Sequence, residues 1–197
     1  MPKPSNRKHS RGYLPHFSVE RSTQFITFRL ADSMSQSLLR EWKLALERGQ
    51  ITDVDFRKRI EYYLDQGYGS CYLRDRRIAN VIRETLLKWD SERYKLIAWV
   101  IMPNHVHILI ELLGQNRLSE IMHSIKSFTA HEANKLLCRS GQFWFIESFD
   151  RYIRDAGHYR NTVKYIEDNP VKAHLCREPC EWEFSSAFRR SPTGSVE

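Results

Sequence analysis

The chain has 197 residues, of which 41% are hydrophobic and 12% aromatic, a composition typical of a folded globular protein and not of a disordered one. Its 31 lysine and arginine residues exceed the 24 acidic residues by seven, which favours an anionic partner such as nucleic acid. Neither a signal peptide nor an apolar run of roughly 18 residues is evident, so we expect a cytoplasmic protein with no membrane partner.

The predicted organisation is a basic N-terminal arm over residues 1–20, one domain over 21–190 and a short tail over 191–197. Neither an internal repeat nor a linker rich in Gly, Ser or Pro divides the central part, which indicates a single domain. The arm is a candidate for contact with a phosphate backbone, and a solubilising tail is an equal alternative.

The first half of the domain is predicted to be mainly helical after one strand over 24–30. A helix capped by Asp32 or Ser33 should run to about Arg48, and a second helix over 53–65 reads as a local insertion. The role of residues 49–66 stays open at this point. Apolar residues at a period of 3.6 then predict a helix over 78–89 that faces the core.

The second half begins with two predicted strands that flank Pro103-Asn104 and should form a hairpin. Further elements are strands over 94–102, 105–112 and within 143–153, and helices over 118–137 and from Asp155 to Asn169. The last helix is expected to end where Asn169 meets Pro170, because a residue before proline is disfavoured in helical geometry. The order β-α-β-β-α-β-α predicts an α+β fold, an antiparallel sheet with helices packed on it.

Two histidines, His105 and His107, stand two residues apart on a predicted strand and therefore project from the same face. They can share one metal ion, while Val106 and Ile108 point into the core and fix the strand. A pair of hydrogen-bonded histidines without metal is the alternative for so short a pattern.

A larger set of segments surrounds this motif: AWVIMPNHVHILIE (98–111), SIKSFTAHEANKLL (124–137), FDRYIRDAGHYRNTVKYIEDNPVKAHLC (149–176) and EWEFSSA (181–187). Together they resemble REP-associated tyrosine transposases, which belong to the single-tyrosine, IS200-like transposases of the HUH endonuclease superfamily. The resemblance covers most of the chain from about residue 71 to 187, together with the first strand.

The resemblance implies a ferredoxin-like sheet, the HUH endonuclease fold, and an enzyme that cleaves and rejoins single-stranded DNA near hairpins. It implies a 5′-phosphotyrosine intermediate, assistance by Mg²⁺ or Mn²⁺, and a monomer or homodimer. Two rival hypotheses remain open: a noncatalytic hairpin-binding protein derived from a transposase, and a metal-dependent hydrolase that does not act on DNA.

Three tyrosines downstream of the histidines are candidate nucleophiles: Tyr152, Tyr159 and Tyr165. Helical phase groups Tyr159 with apolar residues on a face predicted to be buried, and it places Tyr165 with Asn169 on another side. In the family, the tyrosine of the YIxxNPV segment is the nucleophile, which here is Tyr165. A polar residue four positions later is a metal ligand in related enzymes, which here is Asn169; an Asn-Pro helix stop without ligand role is the alternative.

Contacts with DNA phosphates can be predicted only from charge and position. The candidates are Lys126, His131, Arg151, Arg154 and Lys172, and for each one a solvated surface charge is the alternative.

The cysteines are scattered and contain no C-x-x-C pair, so we expect reduced thiols. His174, Cys176 and Cys180 are close enough in sequence to bind zinc, although a fourth ligand is not evident.

Overall fold

The computed structural model describes residues 22–190, with side chains to residue 188, and the backbone of two short strands before them. The strands are β1 (Lys8–Ser10), β2 (Pro15–Phe17), β3 (Thr23–Arg29), β4 (Tyr94–Ile101), β5 (His105–Leu112) and β6 (Phe149–Tyr152). The helices are α1 (Gln36–Glu47), α2 (Asp53–Asp65), α3 (Arg76–Lys88), α4 (Leu118–Leu136), α5 (Ala156–Lys172) and α6 (Ser186–Arg190). Short 3₁₀ turns lie at Tyr72–Arg74 and Pro179–Glu181.

The main sheet has four strands in the order β4-β5-β3-β6, and every neighbouring pair is antiparallel. With helices between β3 and β4 and between β5 and β6, this is the ferredoxin-like arrangement, so the predicted α+β class is confirmed. The predicted hairpin is formed by β4 and β5 around Pro103-Asn104. Most of the predicted arm and the whole predicted tail over 191–197 lie outside the described residues; within the arm, β1 pairs with β2.

The two faces of the sheet have different partners. One face is packed against α3 and α4 in a core that includes Ile26, Val106 and Ile108. The opposite face is packed against α5, in a smaller cluster that includes Phe25, Leu109 and Ile166. Because side chains alternate along a strand, His105 and His107 share this second face.

A third cluster joins α1 and α2 to the segment before β6, through Leu39, Phe56, Ile60, Phe145 and their neighbours. Helix α2 thus packs beside the α5 face of the sheet instead of protruding as an independent insertion. Among the described residues, none of the helices is long and apolar enough to cross a membrane.

Helix starts follow local capping chemistry. Ser35 accepts a hydrogen bond from the backbone N–H of Leu38 and begins α1. The expected caps were wrong, because Asp32 instead accepts bonds from the backbone N–H and hydroxyl of Ser70. Asp155 begins α5 as expected, through a bond from the backbone N–H of His158.

Helix α5 does not end at Asn169, as the sequence predicted. It continues through Pro170 to Lys172, and both Asn169 and Pro170 are buried. The N–H of Ala173 bonds the carbonyl of Asn169, and that of Leu175 bonds the carbonyl of Pro170. Tertiary burial and these bonds therefore outweigh the local preference against helix before proline.

Candidate active site

The centre of the site is the cross-strand pairing of β3 with β5. Thr27 lies opposite His107 and Arg29 lies opposite His105, so all four side chains share one face. Both histidines are fully buried, and their Nε2 atoms are 3.1 Å apart. The same-face placement predicted from the sequence is therefore present, and the strands hold the two imidazoles at a fixed separation.

Asn104 sets the orientation of His105. Its amide Nδ2 donates to the carbonyl of Tyr68 at 2.9 Å, which turns its Oδ1 toward His105 Nδ1 at 2.7 Å. Because a carboxamide oxygen only accepts, Nδ1 must carry the proton, and Nε2 is left with a free lone pair. This is the tautomer that a metal ligand requires.

The Tyr68 carbonyl depends on the turn that follows it. Gly69 has a φ of +90°, and a Cβ at this position would meet the backbone oxygen of Asp32 at 2.8 Å. A side chain is therefore excluded on both conformational and steric grounds.

Thr27 is the partner of the second histidine, with its Oγ1 at 2.7 Å from His107 Nδ1. Because His105 Nε2 has no proton, the 3.1 Å contact requires His107 Nε2 to donate, and His107 Nδ1 then accepts from Thr27. The Thr27 hydroxyl can also accept a hydrogen bond from His107 Nδ1. The contact between Thr27 and His107 is therefore compatible with the opposite His107 tautomer as well, in which Nε2 carries no proton and is free to bind a metal.

Burial keeps both imidazoles neutral. It lowers the pKa of His105 to about 3, and it lowers the pKa of His107 well below its ordinary value with a further contribution from the His105 charge. Neutral imidazoles are the form that binds metal.

Tyr165 is the tyrosine that the structure places at this pair. Its ring centroid is 5.5 Å from that of His107 and 5.8 Å from that of Phe25. Its hydroxyl is buried and has no hydrogen bond of standard geometry with the described residues. Burial raises the pKa of Tyr165 above its ordinary value, and the nearby carboxylates of Glu61 and Asp65 raise it further.

Tyr159 lies elsewhere and is 36% exposed, so its predicted burial was wrong. The buried stripe of α5 contains Thr162, Ile166, Asn169 and Pro170. Tyr152 is also exposed, at the end of β6.

Asn169 lies one helical turn after Tyr165 and is fully buried. Its Nδ2 is 3.5 Å from Asp65 Oδ1, while its own Oδ1 has no partner among the described residues. A buried amide oxygen without a partner fits a position that a cation would satisfy. Two imidazole nitrogens and one amide oxygen are thus available as ligands, which fits a divalent ion with open positions.

The described residues contain no preformed group of three or more His, Cys, Asp or Glu side chains that could hold a metal ion. The structure does not support the zinc site considered for His174, Cys176 and Cys180. The Cys180 thiol instead contacts the Glu178 carboxylate at 3.7 Å.

Two of the five predicted DNA contacts lie at Tyr165. The guanidinium of Arg151 is 4.7 Å from the centre of the Phe25 ring, and the ammonium of Lys172 is 4.8 Å from the centre of the Tyr165 ring. Arg154 is exposed just before α5. Arg151 and Lys172 therefore place positive charge suited to phosphate beside the Tyr165 ring.

The other two predicted DNA contacts are placed differently. Lys126 donates to the carbonyls of Phe145 and Ile146 at 2.6 and 2.8 Å, so in this structure its ammonium holds the segment before β6. His131 is exposed on α4, a helix that packs on the opposite face of the sheet from the histidine pair. The structure does not bring either residue to Tyr165.

Sequence reasoning missed Thr27, Asn104, Glu61 and Asp65. A signal existed for two of them, since Asn104 directly precedes the histidine motif and Thr27 lies on the first predicted strand. Glu61 and Asp65 are one turn apart on a helix that was read as an insertion, and only the packing of α2 brings them to α5.

Comparisons with known proteins identify the family and the fold of the chain. The family model for IS200-like transposases matches residues 72–169, which include the histidine pair, Tyr165 and Asn169, and the chain belongs to this family. No curated protein matches the chain significantly.

Two solved structures are similar to the chain. One is a REP-associated tyrosine transposase bound to a REP hairpin, with 22% identity, a TM-score of 0.57, and coverage of 97% of this chain and 92% of that one. It shows the shared fold. The other is a putative transposase from Deinococcus radiodurans, with 14% identity, a TM-score of 0.40, and coverage of 83% of this chain and 98% of that one.

Proposed function

We propose that this IS200-like transposase is a metal-assisted single-strand DNA endonuclease and strand transferase that uses Tyr165 as its nucleophile. The observation that carries the proposal is the packing of Tyr165 against His107, whose Nε2 faces that of His105. A buried tyrosine beside two neutral imidazoles places the proposed nucleophile and two proposed metal ligands in one site.

The proposed reaction is a reversible exchange of phosphodiester bonds. The Tyr165 oxygen attacks the phosphorus, its bond to that atom forms, and the bond from phosphorus to the 3′-oxygen breaks. The phenol loses its proton and the departing 3′-oxygen gains one, which leaves a 5′-phosphotyrosine and a 3′-hydroxyl. Attack by a 3′-hydroxyl reverses the step and needs no ATP, because the ester bond is conserved.

The residues of the chain have separate tasks in this scheme. His105, His107 and Asn169 would hold the divalent ion, which when bound positions the phosphate and offsets its growing charge. Arg151 and Lys172 would bind phosphate oxygens beside the tyrosine.

Glu61 is a candidate proton acceptor for the phenol. Its carboxylate lies near the Tyr165 hydroxyl and contributes to the raised pKa of that group. A phenol with so high a pKa needs both an acceptor and a positively charged surrounding before it attacks.

The proposed substrate is single-stranded DNA that carries a hairpin. It is supported by the family, by the excess of seven positive charges, and by the hairpin bound to the structural relative of the same fold. A noncatalytic hairpin-binding protein is the competing proposal, and it differs in predicting no covalent product.

The decisive experiment incubates the protein with an end-labelled hairpin oligonucleotide and Mn²⁺ or Mg²⁺, followed by a denaturing gel. We expect a covalent adduct with the wild type and with Tyr159→Phe, and none with Tyr165→Phe or in EDTA. An adduct that survives Tyr165→Phe would overturn the nucleophile assignment. Hairpin binding without any adduct in the wild type would favour the noncatalytic alternative.

A further inference from the structure

Helix α2 presents two acidic residues to helix α5 with matching spacing. Glu61 and Asp65 are one turn apart on α2, as are Tyr165 and Asn169 on α5. Glu61 is near the Tyr165 hydroxyl, and Asp65 contacts the Asn169 amide. A helix that reads as an insertion in the sequence therefore contributes two carboxylates to the candidate site.

We propose that Asp65 is a further ligand of the divalent ion that His105, His107 and Asn169 would hold; this inference rests on the proposed function. Asp65 Oδ1 is 3.7 Å from His105 Nε2 and 3.5 Å from Asn169 Nδ2. Its carboxylate therefore lies close to two of the three residues proposed as metal ligands, His105 and Asn169.

The 3.7 Å separation suits a shared ion better than a direct ion pair. His105 Nδ1 donates to Asn104 Oδ1, so its Nε2 carries only a lone pair and offers the carboxylate no N–H to accept from. Two ligands at roughly 2.0–2.2 Å from one ion are separated by about 3–4 Å. The 3.1 Å between the two histidine Nε2 atoms falls in the same range. A small movement of the Asp65 carboxylate toward His105 would complete a ligand set that is not preformed in the structure.

Charge provides an independent argument. Two imidazoles and an amide bring no negative charge, whereas Arg151 and Lys172 place positive charge beside Phe25 and Tyr165 at the same site. A divalent ion in a buried, positively charged site is strongly disfavoured without a compensating anion. The Asp65 carboxylate supplies that anion, and its oxygen is a ligand that Mg²⁺ and Mn²⁺ prefer.

Direct metal binding tests the inference without any measurement of DNA cleavage. Mn²⁺ is titrated into the full chain and the free ion is followed by electron paramagnetic resonance, for the wild type and three variants. Asp65→Asn keeps the size of the side chain and an oxygen that can accept from Asn169, and it removes the charge. Asp53→Asn is the matched control, because Asp53 lies on the same helix with its side chain 74% exposed.

We expect Asp65→Asn to weaken Mn²⁺ binding at least about tenfold, and Asp53→Asn to leave it unchanged. His105→Ala should abolish specific binding. Urea unfolding in EDTA verifies that each variant is folded, so a loss of binding is not a loss of structure.

The outcomes separate the inference from the function on which it rests. If His105→Ala loses Mn²⁺ while Asp65→Asn binds it as the wild type does, Asp65 is not a ligand and the inference fails alone. If His105→Ala binds Mn²⁺ like the wild type, the proposed histidine metal site fails as well. If Asp53→Asn and Asp65→Asn weaken binding equally, the effect is general charge and the ligand role is overturned.

Discussion

Replacing Tyr165 with phenylalanine should make the protein more stable while it removes the proposed nucleophile. The Tyr165 hydroxyl is buried, and although the Glu61 carboxylate lies near it, the two form no hydrogen bond of standard geometry. A buried polar group left unsatisfied costs about 1–3 kcal/mol of folding free energy. The ring would keep its contacts with His107 and Phe25, since these do not involve the hydroxyl.

We therefore expect Tyr165→Phe to raise the free energy of unfolding by about 1–2 kcal/mol. For a chain of this length that is a rise in Tm of roughly 2–8 °C. Tyr159→Phe is the control, because its side chain is 36% exposed and a surface change should stay within about 0.5 kcal/mol.

The measurement is urea unfolding followed by circular dichroism, in EDTA so that metal does not contribute. Covalent capture of labelled hairpin DNA is assayed in parallel and should be lost only in Tyr165→Phe. A decrease of 1 kcal/mol or more in the free energy of unfolding of Tyr165→Phe would refute the reasoning. It would mean that the Tyr165 hydroxyl donates a good hydrogen bond, with Glu61 as the candidate acceptor.

Three further predictions follow from the same site. Asn104→Ala removes the acceptor that fixes the His105 tautomer, so Mn²⁺ affinity should fall about 10–100-fold in a direct titration; unchanged affinity would contradict the orienting role. Burial raises the pKa of Asp65 from 3.8 to about 6, so the protonated form is favoured in the folded state, and the stability it contributes is present below pH 3.8 and lost as pH rises through 6. In EDTA, the Asp65→Asn variant should not show this loss of unfolding free energy with rising pH, which is at most about 3 kcal/mol in the wild type. Identical pH profiles of unfolding free energy for the variant and the wild type from pH 4 to 7 would contradict the prediction. Affinity for single-stranded hairpin DNA should fall with salt by about 0.7 log units per log unit for each phosphate neutralised, measured by fluorescence anisotropy, and a salt-independent affinity would remove the electrostatic argument.

The strands of the main sheet and the hairpin of β4 and β5 were predictable because they depend on local patterns. The alternation around His105 and His107 determines which residues face the core, and Pro103-Asn104 marks the turn between β4 and β5. The same-face histidine pair follows from strand geometry alone.

Predictions about helix α5 were less successful, because they depend on what surrounds it. Helical phase places Tyr159 on the same side of the helix as Ile166. Phase predicts only the direction of a side chain and not whether another element covers it, and Tyr159 is 36% exposed. The preference against helix before Pro170 is weak compared with the burial of Asn169 and Pro170.

The carboxylates of α2 could not be predicted from sequence at all. Asp65 is separated by about a hundred positions from Asn169, and their contact depends on how α2 packs beside the sheet. Such long-range contacts leave no periodic signal in a single sequence.

The hydroxyl of Thr27 has a consequence for how the proposed metal site would be loaded. Since this hydroxyl can donate to His107 Nδ1 or accept from it, a cation at His107 Nε2 would need only the imidazole proton to move from Nε2 to Nδ1 and the Thr27 O–H to rotate away from Nδ1. Reorganisation of the heavy atoms of Thr27 and His107 would thus be largely avoided. The free and loaded forms should then superimpose closely at Thr27 and His107, and the ¹⁵N resonances of the His107 ring should report which form is present.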